Sequence, residues 1–235
     1  MFQHKEADRI PIIDAPWEGT IKRWQREGMP ENADWRDYFK VDKVSKFNVD
    51  ISPQYEVKII EEDDKQKIYT TSYGVTLRKF KEEDSTPEFL DYKVNTSKIW
   101  FQETKKRMLE GSDRINWERY ERVYPEWVAN GHWLEAGFWF RFDVTHSWMC
   151  GTETILIAML EEPEWVMDMF DTYLNSCIKH FDLLWDKGYR FDSIFWYDDM
   201  GYKNTTFFSI ETYREILKPF HKKAVDWAHN KGIYA

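Results

Sequence analysis

Only two cysteines, Cys150 and Cys177, occur in the 235 residues. Two are too few for a disulfide framework and lack Cys-x-x-Cys spacing, a usage that points to a reducing compartment. Clustered Lys and Arg are also missing, and the formal charge is −9. Phosphate binding relies on such clusters, so a nucleic-acid partner is excluded. No apolar run approaches the ~20 residues a membrane span needs, and the opening MFQHKEADRIPI has no apolar signal stretch. A cytoplasmic protein is expected, with no membrane partner. Internal repeats and low-complexity linkers are absent as well, which leaves one domain over 1–235.

What the chain has in excess is aromatic residues: 13 Trp, 13 Tyr and 16 Phe. Rings at this density either fill a core or line a site for a ring-faced ligand. Both readings stay open at this level.

The hydrophobic pattern alternates between short apolar runs and helical stretches, the order expected of parallel strands joined by crossover helices. RIPIIDA (Arg9 to Ala15) is the first strand, stopped by Pro16. Short helices follow it, cut by Gly28 and Pro30. FNVDIS (Phe47 to Ser52) is the second strand. From 56 to 80 the period falls to two residues, with turn chemistry at Asp63-Asp64 and Tyr73-Gly74, so an antiparallel meander is inserted there. Lys98 to Glu110 is an amphipathic helix closed by Gly111, and a short helix starts at Asp113. GFWFRFDV (Gly137 to Val144) is the third strand, with Arg141 and Asp143 on one face. Thr152 to Leu160 is a short helix. Pro163 opens a long one whose apolar residues recur at a 3.6 period up to Gly188. Asp192 to Gly201 is the fourth strand. Ser209 caps a last helix that Pro219 kinks or restarts and Gly232 ends, and Ile233 to Ala235 begin a fifth strand.

In a barrel of such units the strand tips share one mouth, where barrel enzymes keep their chemistry. Asp14, Asp50, Asp143, Asp198 and Asp199 are the polar tips. Adjacent residues on a strand face opposite ways, so Asp198 and Asp199 cannot form one facing pair: one meets the mouth and the other holds loop backbone. Asp50, Asp198 and His146 are the candidate catalytic groups, since a carboxylate or an imidazole can carry a proton near neutrality. Asp14, Trp17, Arg23, Asp143, Tyr197 and Asp199 are the candidate substrate contacts.

The run MCGTETILIAMLEEPEWVMDMFDTYLNSCIKHFDLLWDKGYRFDSIFWYDDMGYKNTTFFSIETYREILKPFHKKAVDWAHNKGI, with the opening DRIPIIDAPWEGTIKRW, resembles the uroporphyrinogen decarboxylase superfamily. That resemblance implies a (β/α)8 barrel of the TIM type, here truncated after about four and a half strand-helix units, with the meander as an insertion. It also implies one of two activities. The first is corrinoid-linked methyl transfer from a small methylated substrate, with zinc and a corrinoid protein as partner. The second is cofactor-free decarboxylation of uroporphyrinogen III. The arginine-rich motif that follows the first strand of the decarboxylases is replaced by Asp14-Ala15-Pro16-Trp17, with no arginine before Arg23. Their catalytic tyrosine corresponds to Ala158, while Asp50 matches the aspartate that binds pyrrole N–H groups. Methyl transfer is therefore the expected activity, decarboxylation the alternative. The zinc ligands of the methyltransferases, a His-x-Cys motif and a later cysteine, would lie beyond Ala235. An open partial barrel exposes strand edges, so the chain is expected to belong to a longer protein, or to be completed by another copy in a homodimer or by another chain. Two readings outside the superfamily are a glycan-acting barrel, from the tryptophans and mouth carboxylates, and a binding protein without catalysis.

Overall fold

The computed structural model describes residues 5–81, 85–111 and 114–235. Strand β1 (Val44–Phe47) is followed by β2 (Ile59–Glu62), β3 (Gln66–Thr70), β4 (Val75–Phe80) and β5 (Glu88–Tyr92), and then, after two helical stretches, by β6 (Trp133–Gly137). β7 (Ser193–Phe195) comes next, and a two-residue pair, β8 (Gly201–Tyr202) and β9 (Thr205–Thr206), closes the series.

These strands form a parallel sheet in the order β1-β6-β7, an antiparallel sheet in the order β2-β3-β4-β5, and the β8-β9 hairpin. The parallel register sets Phe47 beside Ala136 and Gly137 beside Phe195. Beyond β7 the sheet continues only as a single parallel bridge from Ser193 to Tyr234. The expected eight-stranded barrel is therefore corrected: a small mixed α/β fold with three parallel strands and separate antiparallel sheets replaces it.

Three local causes account for the difference. Arg9 to Ala15 is not a strand. Pro11 carries no N–H for a ladder, and the segment hangs on one residue instead: Ile12 donates its N–H to Asp42 Oδ2 at 2.8 Å, and Asp42 donates its own to the Ile12 carbonyl at 2.8 Å. Ile10, Ile12 and Ile13 are exposed. In GFWFRFDV the ladder ends at Gly137, and at Arg141 the backbone turns left-handed (φ +75°) to open the helix Phe142–Trp148. Arg141 and Asp143 thus sit in a helix start, not on a strand face. Of the expected fourth strand only Ser193–Phe195 pairs with β6, so Asp198 and Asp199 lie in the connection after it. The helix expected from Asp113 starts outside the described residues; the helix in this stretch is Trp117–Ala129.

Where local signals are strong, helices follow them. Pro163 stands at the first turn of the 24-residue helix Pro163–Asp186, whose Val166, Phe170, Tyr173, Cys177, Phe181 and Leu184 are buried. Ser209 accepts the N–H of Thr212 and caps the last helix. That helix widens into a π turn over Tyr213–Leu217 before Pro219, which sits in the first turn of the α-helical stretch Lys218–Asn230. The widening accommodates a residue that cannot donate to the ladder.

Much of the aromatic excess goes into the core. Phe47 meets the rings of Tyr120, Tyr124, Trp127, Tyr189 and Phe191 with centroids between 4.8 and 5.8 Å. The Tyr120 hydroxyl accepts the Asn48 N–H at 2.7 Å and donates to the Asn48 carbonyl at 2.5 Å, which holds the chain leaving β1 against the helix Trp117–Ala129. Gly137, at the tip of β6, packs against the end of β1: a Cβ there would lie 2.5 Å from Asn48 Oδ1 and 3.1 Å from the Phe47 carbonyl. Among the described residues no helix is long and apolar enough to cross a membrane.

Candidate functional site

The three parallel strands end side by side, so the chain leaving each one contributes to a common rim, the edge where open α/β sheets keep their ligands. β6 is followed by Phe138, Trp139, Phe140 and Arg141; β7 is followed by Trp196, Tyr197 and Asp198. β1 leads to Asp50.

Arg141 is the centre of this rim. Its side chain has no solvent exposure, yet none of Nε, Nη1 and Nη2 has a hydrogen-bond partner among the described residues. The guanidinium lies 4.4 Å from the ring centre of Phe140 and 5.5 Å from that of Trp196. Its counter-charge is Asp198, whose Oδ2 is 3.3 Å from Nη2, close enough for ion pairing but not aligned for a hydrogen bond. The Asp198 side chain is 3 % exposed, and its Oδ1 accepts the backbone N–H of Asp143 at 2.7 Å, capping the helix Phe142–Trp148 from a segment 55 residues away. Burial pushes the Asp198 carboxyl up to about 6 against the pull of Arg141, and pushes Arg141 down to about 10.

On the far side of Asp198 stands His221, from the last helix. Its Nε2 is 3.7 Å from Asp198 Oδ2, its Nδ1 is 2.9 Å from the Tyr213 hydroxyl, and its ring stacks on Trp196. When Tyr213 donates to Nδ1, a neutral imidazole carries its proton on Nε2, facing the carboxylate. Tyr213 and His221 are hydrogen-bonded, and His221 faces Asp198 across a 3.7 Å gap that no hydrogen bond closes.

Asp143 and His146 border this group. Asp143 Oδ2 accepts the indole N–H of Trp139 at 2.7 Å, and burial raises its carboxyl. His146 stacks on Phe142 at 4.4 Å and its Nδ1 meets Thr152 Oγ1 at 3.1 Å. Burial pushes it down to about 4, so it is neutral at physiological pH and poor at delivering a proton there.

The other sequence-derived candidates separate into three groups. Tyr197 and Asp199 flank Asp198 and are exposed, with the Asp199 side chain outside and the Asp198 side chain inside. Asp50 is occupied by its own loop: its oxygens accept from the Ser52 N–H and the Gln54 amide, both at 2.9 Å. Burial works against its charge, but those bonds and the Arg114 guanidinium hold its carboxyl below the usual range. Tyr73 links this corner to the rest, with its ring 5.5 Å from that of Trp139 and its hydroxyl within electrostatic reach of Asp50 and Tyr197. Asp14, Trp17 and Arg23 lie on the exposed N-terminal stretch. Asp14 accepts from the Ala15 N–H, Trp17 precedes the helix Glu18–Arg26, and Arg23 pairs with Glu27 at 2.7 Å. Among the described residues no hydrogen bond, ion pair or ring contact joins these three to the Asp198 group.

Arg141 as the buried cation, and His221 and Tyr213 behind it, are the residues that sequence reasoning passed over. For Arg141 a signal existed: a charge inside FWFRF cannot belong to a solvated face. For His221, on an ordinary amphipathic helix, there was none. Zinc does not fit what is present. No group of three or more His, Cys, Asp or Glu is placed to hold a metal ion among the described residues. Cys150 and Cys177 are buried, burial pushing the Cys177 thiol up to about 12 and Cys150 higher, which disfavours the thiolates zinc would need. Compared with protein-family models, curated proteins and solved structures, the chain gives no significant match.

Proposed function

We propose that this chain is a methyltransferase that removes a methyl group from a small methylated molecule, with a corrinoid as the acceptor, as its resemblance to the uroporphyrinogen decarboxylase superfamily implies. The observation that carries the site assignment is the buried Arg141, Asp198 and His221 cluster at the carboxyl edge of the parallel sheet. Loss of a methyl group from oxygen or nitrogen leaves that atom with a pair of electrons to be protonated. Asp198, held near 6, is the group able to supply the proton at neutral pH, since a general acid works best when its pKa lies near the working pH. His221 stands 3.7 Å behind it, held by Tyr213, and reprotonates Asp198 once the two close to hydrogen-bond distance. Trp139, Trp196 and Phe140 supply apolar walls.

The test is turnover. Purified protein is mixed with cob(I)alamin and, in turn, methanol, methylamine and 4-methoxybenzoate, and loss of the cobalt(I) absorbance is followed. One donor is expected to react, and Asp198→Asn to slow that reaction by roughly a hundredfold to ten-thousandfold, the usual worth of a positioned acid. Carbon dioxide release from uroporphyrinogen III without methyl transfer would overturn the proposal. An Asp198→Asn variant that shifts only donor affinity would do so as well.

A further inference from the structure

Three of the polar groups at the rim are incomplete together. The Arg141 guanidinium, Asp198 Oδ2 and His221 Nε2 are all buried without a hydrogen-bond partner, within 3.3 and 3.7 Å of one another in sequence Arg141, Asp198, His221. An unmet buried donor is costly, and more so when charged, so a guanidinium with all three nitrogens open has a strong physical need for an acceptor. Backbone does not provide it: none of the three nitrogens meets a carbonyl among the described residues. Arg114, the chain's other buried arginine, shows the contrast: its Nε is also open, but Nη1 and Nη2 donate to the carbonyls of Asp50, Ser52, Arg107 and Met108. One arginine is used as a structural staple; the other is left open.

A planar fork of N–H donors matches a carboxylate. We propose that Arg141 receives the carboxylate of a small substrate and that Asp198 takes up one proton from solvent as that carboxylate enters. This deepens the reading above by naming the substrate class, and rests on it for the role of the site. The proton uptake follows from crowding. The groups facing Asp198 are Arg141 and Asp143 from the start of the helix Phe142–Trp148, Asp199 beside it, and His221 with Tyr213 from the last helix. A second carboxylate on the single buried cation places like charges at contact distance, and one of the two then binds a proton. Asp198 would thus be loaded as an acid only when substrate is present. Since Arg141 is fully covered, entry requires the connection 196–208, which carries Trp196 and the β8-β9 hairpin, to shift.

Calorimetric titration at pH 7 tests this with 4-methoxybenzoate and its neutral analogue 4-methoxybenzamide, each in two buffers of different ionisation enthalpy. The acid is expected to bind roughly tenfold to a hundredfold tighter than the amide, the worth of a charge-assisted hydrogen bond, with uptake approaching one proton. Arg141→Met should bind both equally, and Arg141→Lys, which keeps the charge without the fork, should lie between. Asp198→Asn should bind the acid with no proton uptake. Equal affinity of wild-type protein for acid and amide, or no saturable binding of either, overturns the proposal and leaves water as the occupant; this comparison needs no variant to fold. Binding of the acid with proton uptake but without demethylation supports the carboxylate site and defeats methyl transfer. Demethylation of methanol or methylamine with no preference for the acid does the reverse.

Discussion

Asp198 and His146 should pull the stability of this protein in opposite directions over the same pH range. The folded state holds Asp198 at about 6 against an ordinary 3.8, and His146 at about 4 against an ordinary 6.5, burial being the main cause of both. A raised carboxyl stabilises the fold below its unfolded value, and that stability is lost as pH climbs through the folded value; moving from 3.8 to about 6 makes this ~3 kcal/mol. A depressed imidazole acts the other way. Its ~3 kcal/mol is present above 6.5 and lost as pH falls through 4. The two contributions nearly cancel in the wild-type curve, so they have to be separated by substitution. Urea unfolding of wild type, Asp198→Asn and His146→Gln at several pH values from about 4 to 7.5 gives stabilities whose differences carry the signal. The difference between Asp198→Asn and wild type should rise by ~2–3 kcal/mol from the acid end to neutrality, and that for His146→Gln should fall by a similar amount. Lost hydrogen bonds add only a constant offset to each. Flat difference curves would show that neither group is displaced, and the acid role of Asp198 would go with them.

Two further substitutions probe the frame that sets the rim. Gly137→Ala drives a methyl group against Asn48 Oδ1 and the Phe47 carbonyl; a loss of about 1–3 kcal/mol in urea unfolding is expected, and an unchanged midpoint would mean that these atoms are not so close. Phe47→Ala removes a fully buried ring that touches five others. It should cost about 3–5 kcal/mol by the same measurement, and a cost under about 1 kcal/mol would place Phe47 outside the core.

How far the structure is legible from the residues depends on how local each cause is. The helix Pro163–Asp186 repeats its apolar pattern over many turns and opens on a proline, and the cap at Ser209 and the irregularity before Pro219 are equally local. Alternation from 56 onward marks antiparallel strands, although the fourth of them reaches Tyr92, well past the last alternating residue recognised. The short apolar runs are different, because an apolar run does not say what it packs against. RIPII looks like a buried strand only if a neighbour pairs with it, and its one described backbone partner is Asp42. FNVDIS places the strand three residues late, since β1 is Val44–Phe47 and the residues after Phe47 turn away on the Tyr120 hydroxyl.

GFWFRFDV shows most directly why a site is harder to read than a helix. Read as a strand, it puts Arg141 and Asp143 on one face, and the arginine is only a polar interruption. Yet a guanidinium flanked by Phe140 and Phe142 has to find both a counter-charge and a reason to stay. The counter-charge is 57 residues further on, at Asp198, and the group behind that carboxylate is on the last helix, at His221. Neither partner is visible from the run itself, because the parallel sheet brings them together only after β6 and β7 have paired. Asp50 shows the complementary case: its oxygens already accept from its local neighbours Ser52 and Gln54. An acidic residue at a strand tip is therefore weak evidence for chemistry. A charge set into an apolar run is stronger, since solvent cannot satisfy it, and what remains unsatisfied in the folded chain, here the three nitrogens of Arg141, marks where a ligand has something to offer.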